Sequence, residues 1–104
     1  MEIELRVIEG CPHVAEMLEA LGAIVEDRVD IALVIRVIRT EEEASFLQFP
    51  GSPTILIDGE DPFPSDPGVT GLSCRRYALD HGGIGIPDEE MLRKVIEAHE
   101  AGIR

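Results

Sequence analysis

Apolar and charged residues alternate from Ile3 to Ile8, "IELRVI", with Ile3, Leu5 and Val7 sharing one parity. A period of two predicts a strand with one buried face. Gly10 and Cys11 turn the chain, and Pro12 stands where a first helical residue tolerates proline, its amide having no intrahelical partner. Val14, Met17, Leu18, Leu21 and Val25 then recur at three- and four-residue spacing, which predicts an amphipathic helix. Val29 to Ile38, "VDIALVIRVI", is apolar at both parities apart from Asp30 and Arg36. Such a run predicts a strand buried on both faces, in a parallel pair covered by helices and joined by a right-handed crossover.

Thr40 followed by Glu43 is a capping-box pattern and predicts a short second helix that ends before "QFPGSPT". Thr54 to Asp58, "TILID", predicts a third strand closed by the Asp58-Gly59 turn. From Glu60 to Gly71 the chain is dense in Pro, Gly and Asp, a loop long enough to serve as a cover near a site. Leu72 to Ala78, "LSCRRYA", predicts a last strand, with Cys74 in it or at its start. Pro87 opens a final helix with Asp88, Glu89 and Glu90 in its first turn, where the helix dipole favours acids. Its inward stripe is Met91, Leu92, Val95, Ile96 and His99. The expected order is β-α-β-α-β-β-α in one domain spanning residues 1–104, without internal repeat or linker.

Composition narrows the function classes. Of the 104 residues 44% are apolar, enough for one packed core, and Trp is absent, so aliphatic side chains must fill it. The formal charge of −12 argues against holding phosphate backbones or anionic membranes, both of which need Lys and Arg. It fits solubility, a demanding environment or a basic protein partner. "MEIELRVIEG" lacks the basic and apolar regions of a targeting segment, and "IALVIRVI" is too short to span a bilayer, so a cytoplasmic location is expected. In a reducing compartment two cysteines read as thiols, metal ligands or a transient redox pair rather than a permanent staple.

Several motifs of chemistry are missing. "GGIG" has neither the Gly-Lys-Ser/Thr ending of a phosphate loop nor the setting of a dinucleotide site. Glu89-Glu90 and the run Glu41 to Glu43 have helix-end explanations, and no Ser-His-Asp order or Gly-x-Ser-x-Gly elbow appears. Two cysteines without a Cys-x-x-Cys cannot make a four-ligand zinc site, although a soft ion such as Hg²⁺ or Cu⁺ accepts two thiolates. Cys11 is the leading candidate. A thiol at a helix start meets unpaired amides and the positive end of the dipole, both of which favour thiolate, and a cationic His13 would add to this. His81 and His99 read as a loop and a helix-face residue.

The elements and motifs together resemble the thioredoxin fold over essentially the whole chain. More narrowly the chain resembles small bacterial thioredoxin-family proteins, some of which are labelled alkylmercury-lyase-like. The residues that carry this are Gly10-Cys11-Pro12, Gly51-Ser52-Pro53-Thr54, Ile57-Asp58-Gly59, Asp61-Pro62-Phe63 and Gly71-Leu72-Ser73-Cys74-Arg75-Arg76-Tyr77. The resemblance implies an α/β fold with a four-stranded mixed sheet and helices on both faces. It puts Cys11 where such proteins keep the attacking sulfur; periplasmic disulfide oxidases read Cys-Pro-His-Cys there, and here Val14 replaces the second cysteine. It implies that the bond before Pro53 is cis, and that Ser52 offers backbone hydrogen bonds to an extended substrate, with Thr54 beside them.

The function so implied is a thiol–disulfide oxidoreductase without cofactor. Its partner would be a protein disulfide or a small thiol, and Cys11 would be resolved by Cys74 or by an external thiol such as glutathione. Strand rise places Cys74 about 10 Å from Cys11, beyond the ~7 Å between Cα atoms that a disulfide allows, unless the Pro-rich loop draws it in. Direct pairing, a partner-facing or structural thiol, and a shared metal all stay open for Cys74. The alternative reading is a non-catalytic module that binds a protein or a thiophilic metal.

Overall fold

The central strand β1 (Glu2–Val7) forms where the period-two pattern predicts it, burying Ile3, Leu5 and Val7. In the computed structural model, which describes residues 1–63, 68–80 and 82–102, the elements that follow are α1 (Val14–Val25), β2 (Ala32–Val37), α2 (Glu41–Phe46) and β3 (Thr54–Ile57). β4 (Tyr77–Ala78), β5 (Ile84–Gly85) and α3 (Glu89–Glu100) complete the order.

β1 pairs parallel with β2 (Leu5↔Ile35) and antiparallel with β3 (Leu5↔Ile55), giving a mixed sheet in the order β2-β1-β3. α1 and α3 pack against each other over the face that carries Ile3, Leu5, Val7, Ile55 and Ile57. They contribute Met17, Leu21, Ile24, Leu92 and Ile96 to that core. A smaller cluster of Ile38, Ala44 and Phe49, with Ile8, Leu47 and Leu72 against it, uses strand-end positions of the opposite parity and is capped by α2. No helix among the described residues is long and apolar enough to cross a membrane.

Three expectations are corrected. Among the described residues the main sheet has three strands, not four; β4 pairs with β5 in a separate two-stranded ribbon (Tyr77↔Gly85), built partly from the "GGIG" connection. β2 is not buried on both faces. It is an edge strand, with Val34 43% and Ile35 48% exposed, because among the described residues no strand pairs with its outer edge and α2, one and a half turns long, covers only the end of the second face. The segment expected as the last strand becomes regular only at Tyr77, and Cys74 makes an isolated parallel bridge with Ser52 instead.

Local signals hold well. Thr40 caps α2, its Oγ1 accepting from Glu43 N at 3.0 Å. The Glu43 carboxylate reaches back to Arg39 N at 3.0 Å, one residue earlier than in the usual capping box. Asp58 closes β3 with φ 49°, and its Oδ1 accepts from Glu2 N at 2.8 Å, tying the turn to the start of β1. Asp88 caps α3 by accepting from Met91 N, so Pro87 precedes the helix rather than opening it.

Candidate functional site

The sequence-predicted site residues gather at the end of the sheet where β1 leaves and β3 enters. α1 begins at Val14 with His13 as its N-cap, not at Pro12. Cys11 therefore lies in the turn before the helix, joined to it by Val14 N donating to Cys11 O at 3.4 Å. It is half-buried and Pro12 is exposed. The dipole argument made for a cysteine in the first turn is correspondingly weaker, since the field falls off within one turn of the helix end.

Ser52 and Pro53 are buried, and the Ser52–Pro53 bond is cis, as expected. The Ser52 hydroxyl accepts from Ile8 N at 3.0 Å, which fixes the strand-entry segment against the end of β1. The Thr54 hydroxyl donates to Gly51 O at 2.6 Å, closing the turn on itself. On its other side Ser52 is flanked by the run Ser73–Arg75. Ser52 N donates to Ser73 O at 2.7 Å, and Arg75 N donates to Ser52 O at 2.8 Å.

Cys74 therefore sits directly beside Ser52, and Ser52 stands between the line of β1 and the line of Cys74. Two strand spacings separate those lines, about 10 Å. Cys74 is exposed, and both cysteines are free thiols. The His13 ring, two residues after Cys11, lines the same cleft of about 420 Å³ as Cys74, together with Glu16, Arg76, Ile84 and Ile86. Cys11 is not part of that lining.

Sequence reasoning assigned no role to Arg75, which organises this end of the molecule. Its guanidinium is 5% exposed and donates to Asp61 Oδ2 at 2.6 Å and to Phe63 O at 3.1 Å. It also reaches Thr54 Oγ1 at 3.3 Å and lies 4.3 Å over the Tyr77 ring. Phe63 meets Tyr77 edge to face at 5.2 Å, so the start of the Pro-rich loop packs here; its residues 64–67 lie outside the described residues. The Tyr77 hydroxyl donates to Pro53 O at 2.5 Å, and burial pushes its pKa well above the ordinary tyrosine value. The signal was present in "SCRRY": Arg75 stands two residues before Tyr77 and so shares its face in an extended chain, and an arginine buried beside a core aromatic needs a carboxylate partner, here Asp61.

His99 stays apart from the site. His99 Nε2 meets Asp58 Oδ2 at 2.9 Å at the opposite end of β3, and His81 lies outside the described residues. Among the described residues no three His, Cys, Asp or Glu side chains are grouped to hold a metal ion. Comparison with protein-family models, with curated proteins and with solved structures finds no match to this chain.

Proposed function

We propose that this protein is a thiol–disulfide exchange protein built on a variant of the thioredoxin fold. In this reading Cys11 attacks, and Cys74 or an external thiol resolves. The fold part of the reading is supported by the β2-β1-β3 order, parallel then antiparallel, and by α1 and α3 packed over one face. β4 then stands for the fourth strand, drawn off the edge of β3 because Ser73–Arg75 takes the position beside Ser52.

One observation carries the functional reading. The cysteine turn, the Ser52-Pro53-Thr54 entry to β3 and Cys74 meet at one end of the sheet, with Ile8 N on Ser52 Oγ and the Ser52 main chain on Ser73 and Arg75. Separate segments of a 104-residue chain bring both of its thiols to this end.

The test uses Cys74→Ser, in which Cys11 is the lone thiol. The reduced variant is mixed with bis(2-hydroxyethyl) disulfide, and the adduct is followed by mass spectrometry beside an unfolded peptide of residues 8–15. Cys11 is expected to form the mixed disulfide roughly tenfold faster than the peptide, as folded-site thiols activated by their surroundings do. Reaction no faster than the peptide would refute Cys11 as the attacking thiol.

A further inference from the structure

β2 uses its main-chain groups on one side. Ala32 N donates to Met1 O at 2.9 Å and Ile38 N to Val7 O at 2.7 Å, so by alternation Ala32, Val34, Arg36 and Ile38 turn their groups to β1. The N–H and C=O groups of Leu33, Ile35 and Val37 therefore point away from the sheet, where no strand meets them among the described residues.

Edge strands are commonly blunted by proline, lysine, a bulge or short length. "ALVIRV" has no Pro, Lys or Gly and keeps an unbroken register with β1 over six residues. Its one charged residue is Arg36, and Val34 and Ile35 are nearly half exposed. The other side of the sheet is treated differently. All of β3 is buried, Ser52 at its entry is bridged to Cys74, and Pro53 O accepts from the Tyr77 hydroxyl. Pairing through the β2 edge thus closes after two copies instead of growing into a fibre.

Charge selects the direction of that pairing. Asp30 stands two residues before β2 and Arg36 lies near its end. Parallel pairing would set each of them beside its own copy. Antiparallel pairing centred on Val34 sets Arg36 opposite Ala32 of the second copy and diagonal to its Asp30, within reach of a long side chain. Both groups have capacity left. Arg36 reaches Glu43 with one nitrogen at 3.3 Å and is 47% exposed. The Asp30 carboxylate takes two bonds from Arg28, is 59% exposed and can accept more. In the same register Leu33 exchanges main-chain bonds with Ile35 of the second copy. Val34 meets Val34 across the two-fold axis, with about 4.5 Å between Cα atoms.

We propose that this protein forms a two-fold dimer by antiparallel pairing of β2 with β2 of a second copy, joining the two sheets into one. Two short strands meeting edge to edge bury less than the roughly 1,200 Å² of a standard interface, and each copy carries −12. The dimer accordingly belongs to the weak, exchanging class. The proposal is independent of the thiol chemistry above.

Sedimentation equilibrium of the reduced protein from about 10 µM to about 1 mM is expected to show the average mass rising from 11.4 kDa towards twice that value. Val34→Lys puts two ammonium groups face to face on the axis and should hold the mass at 11.4 kDa over the same range. It also lowers the negative charge of the chain, so a general charge effect would act in the opposite sense. Val34→Cys, in a Cys11→Ser, Cys74→Ser background, should form the disulfide-linked dimer about tenfold faster than Val29→Cys, a fully exposed position off the axis. A mass of 11.4 kDa throughout, association that Val34→Lys leaves intact, or equal crosslinking at the two positions would each overturn the proposal. A chain that stays monomeric while an added extended peptide slows hydrogen exchange of the Leu33 and Ile35 amides would overturn it in favour of a foreign strand at this edge.

Discussion

Arg75→Met removes the guanidinium while keeping an apolar stem of similar length, so it isolates what the charge contributes. The lost contacts are the 2.6 Å bond to Asp61, the 3.1 Å bond to Phe63 O, the 3.3 Å contact with Thr54 Oγ1 and the stack on Tyr77. Stranding one partner of a fully buried pair costs about 3–5 kcal/mol. The Asp61 side chain is 23% exposed and keeps part of its hydration, so the cost falls to the bottom of that range or just under it, about 2–3 kcal/mol. The lost cation–π contact, about 0.5–1 kcal/mol, is partly replaced by methionine sulfur against the ring. The total is about 3 kcal/mol, and at roughly 4 °C per kcal/mol or more the melting temperature falls by about 12 °C.

Thermal unfolding followed by circular dichroism reads this directly. Adding Asp61→Asn to Arg75→Met removes the stranded carboxylate and should return about 1–2 kcal/mol, the coupling expected of a direct pair. A loss below about 1 kcal/mol, or a double variant no more stable than Arg75→Met, would refute the claim that this pair anchors the segment beside Ser52.

Gly51→Ala should destabilise the protein by about 2–4 kcal/mol in urea titration, because the new Cβ meets Arg75 and Ser73 O at 3.0–3.1 Å with φ at +131°. An unchanged midpoint would mean that the close approach is not needed. Tyr77 is the only tyrosine and Trp is absent, so phenolate absorbance in an alkaline titration reports this residue alone. Burial raises its folded pKa above the ordinary value of 10.0, so its contribution is present below pH 10 and is lost as pH rises beyond it. Phenolate should therefore appear only together with unfolding, and reversible ionisation near pH 10 in the folded protein would contradict the buried hydroxyl. Asp58 is held below its ordinary 3.8, first by Glu2 N and then by His99. Its contribution is present above about pH 4 and lost as pH falls through the depressed value, so Asp58→Asn should flatten the acid limb of stability against pH. An acid limb as steep as that of the unsubstituted protein would discount these bonds.

Much of the molecule follows from near-neighbour chemistry and was legible in the sequence. β1, α1, α3 and the Thr40 cap follow the sequence reading, with both long helices starting two residues later than expected, because each depends on residues within a few positions of one another. The parity of Ile3, Leu5 and Val7 sets a buried face, and Thr40 and Glu43 satisfy amides they lie beside. The same holds for the turn at Asp58, whose side chain and backbone act over a short span.

The readings that failed concern neighbours distant in sequence. The run from Ala32 to Val37 is apolar enough to be buried on both sides, but burial is set by what flanks it, and among the described residues nothing pairs with its outer edge. "LSCRRYA" carries a strand-like composition, yet the Ser52 main chain and the Asp61 carboxylate capture its residues before Tyr77 and turn the remainder into a separate ribbon. For the site, the sequence by itself determined which thiols and which proline-bearing turn the chain possesses. Only the tertiary structure decided that Cys74 comes beside Ser52 and shares a cleft with His13, because hydrogen bonds between segments more than 20 residues apart, not local propensity, bring them together.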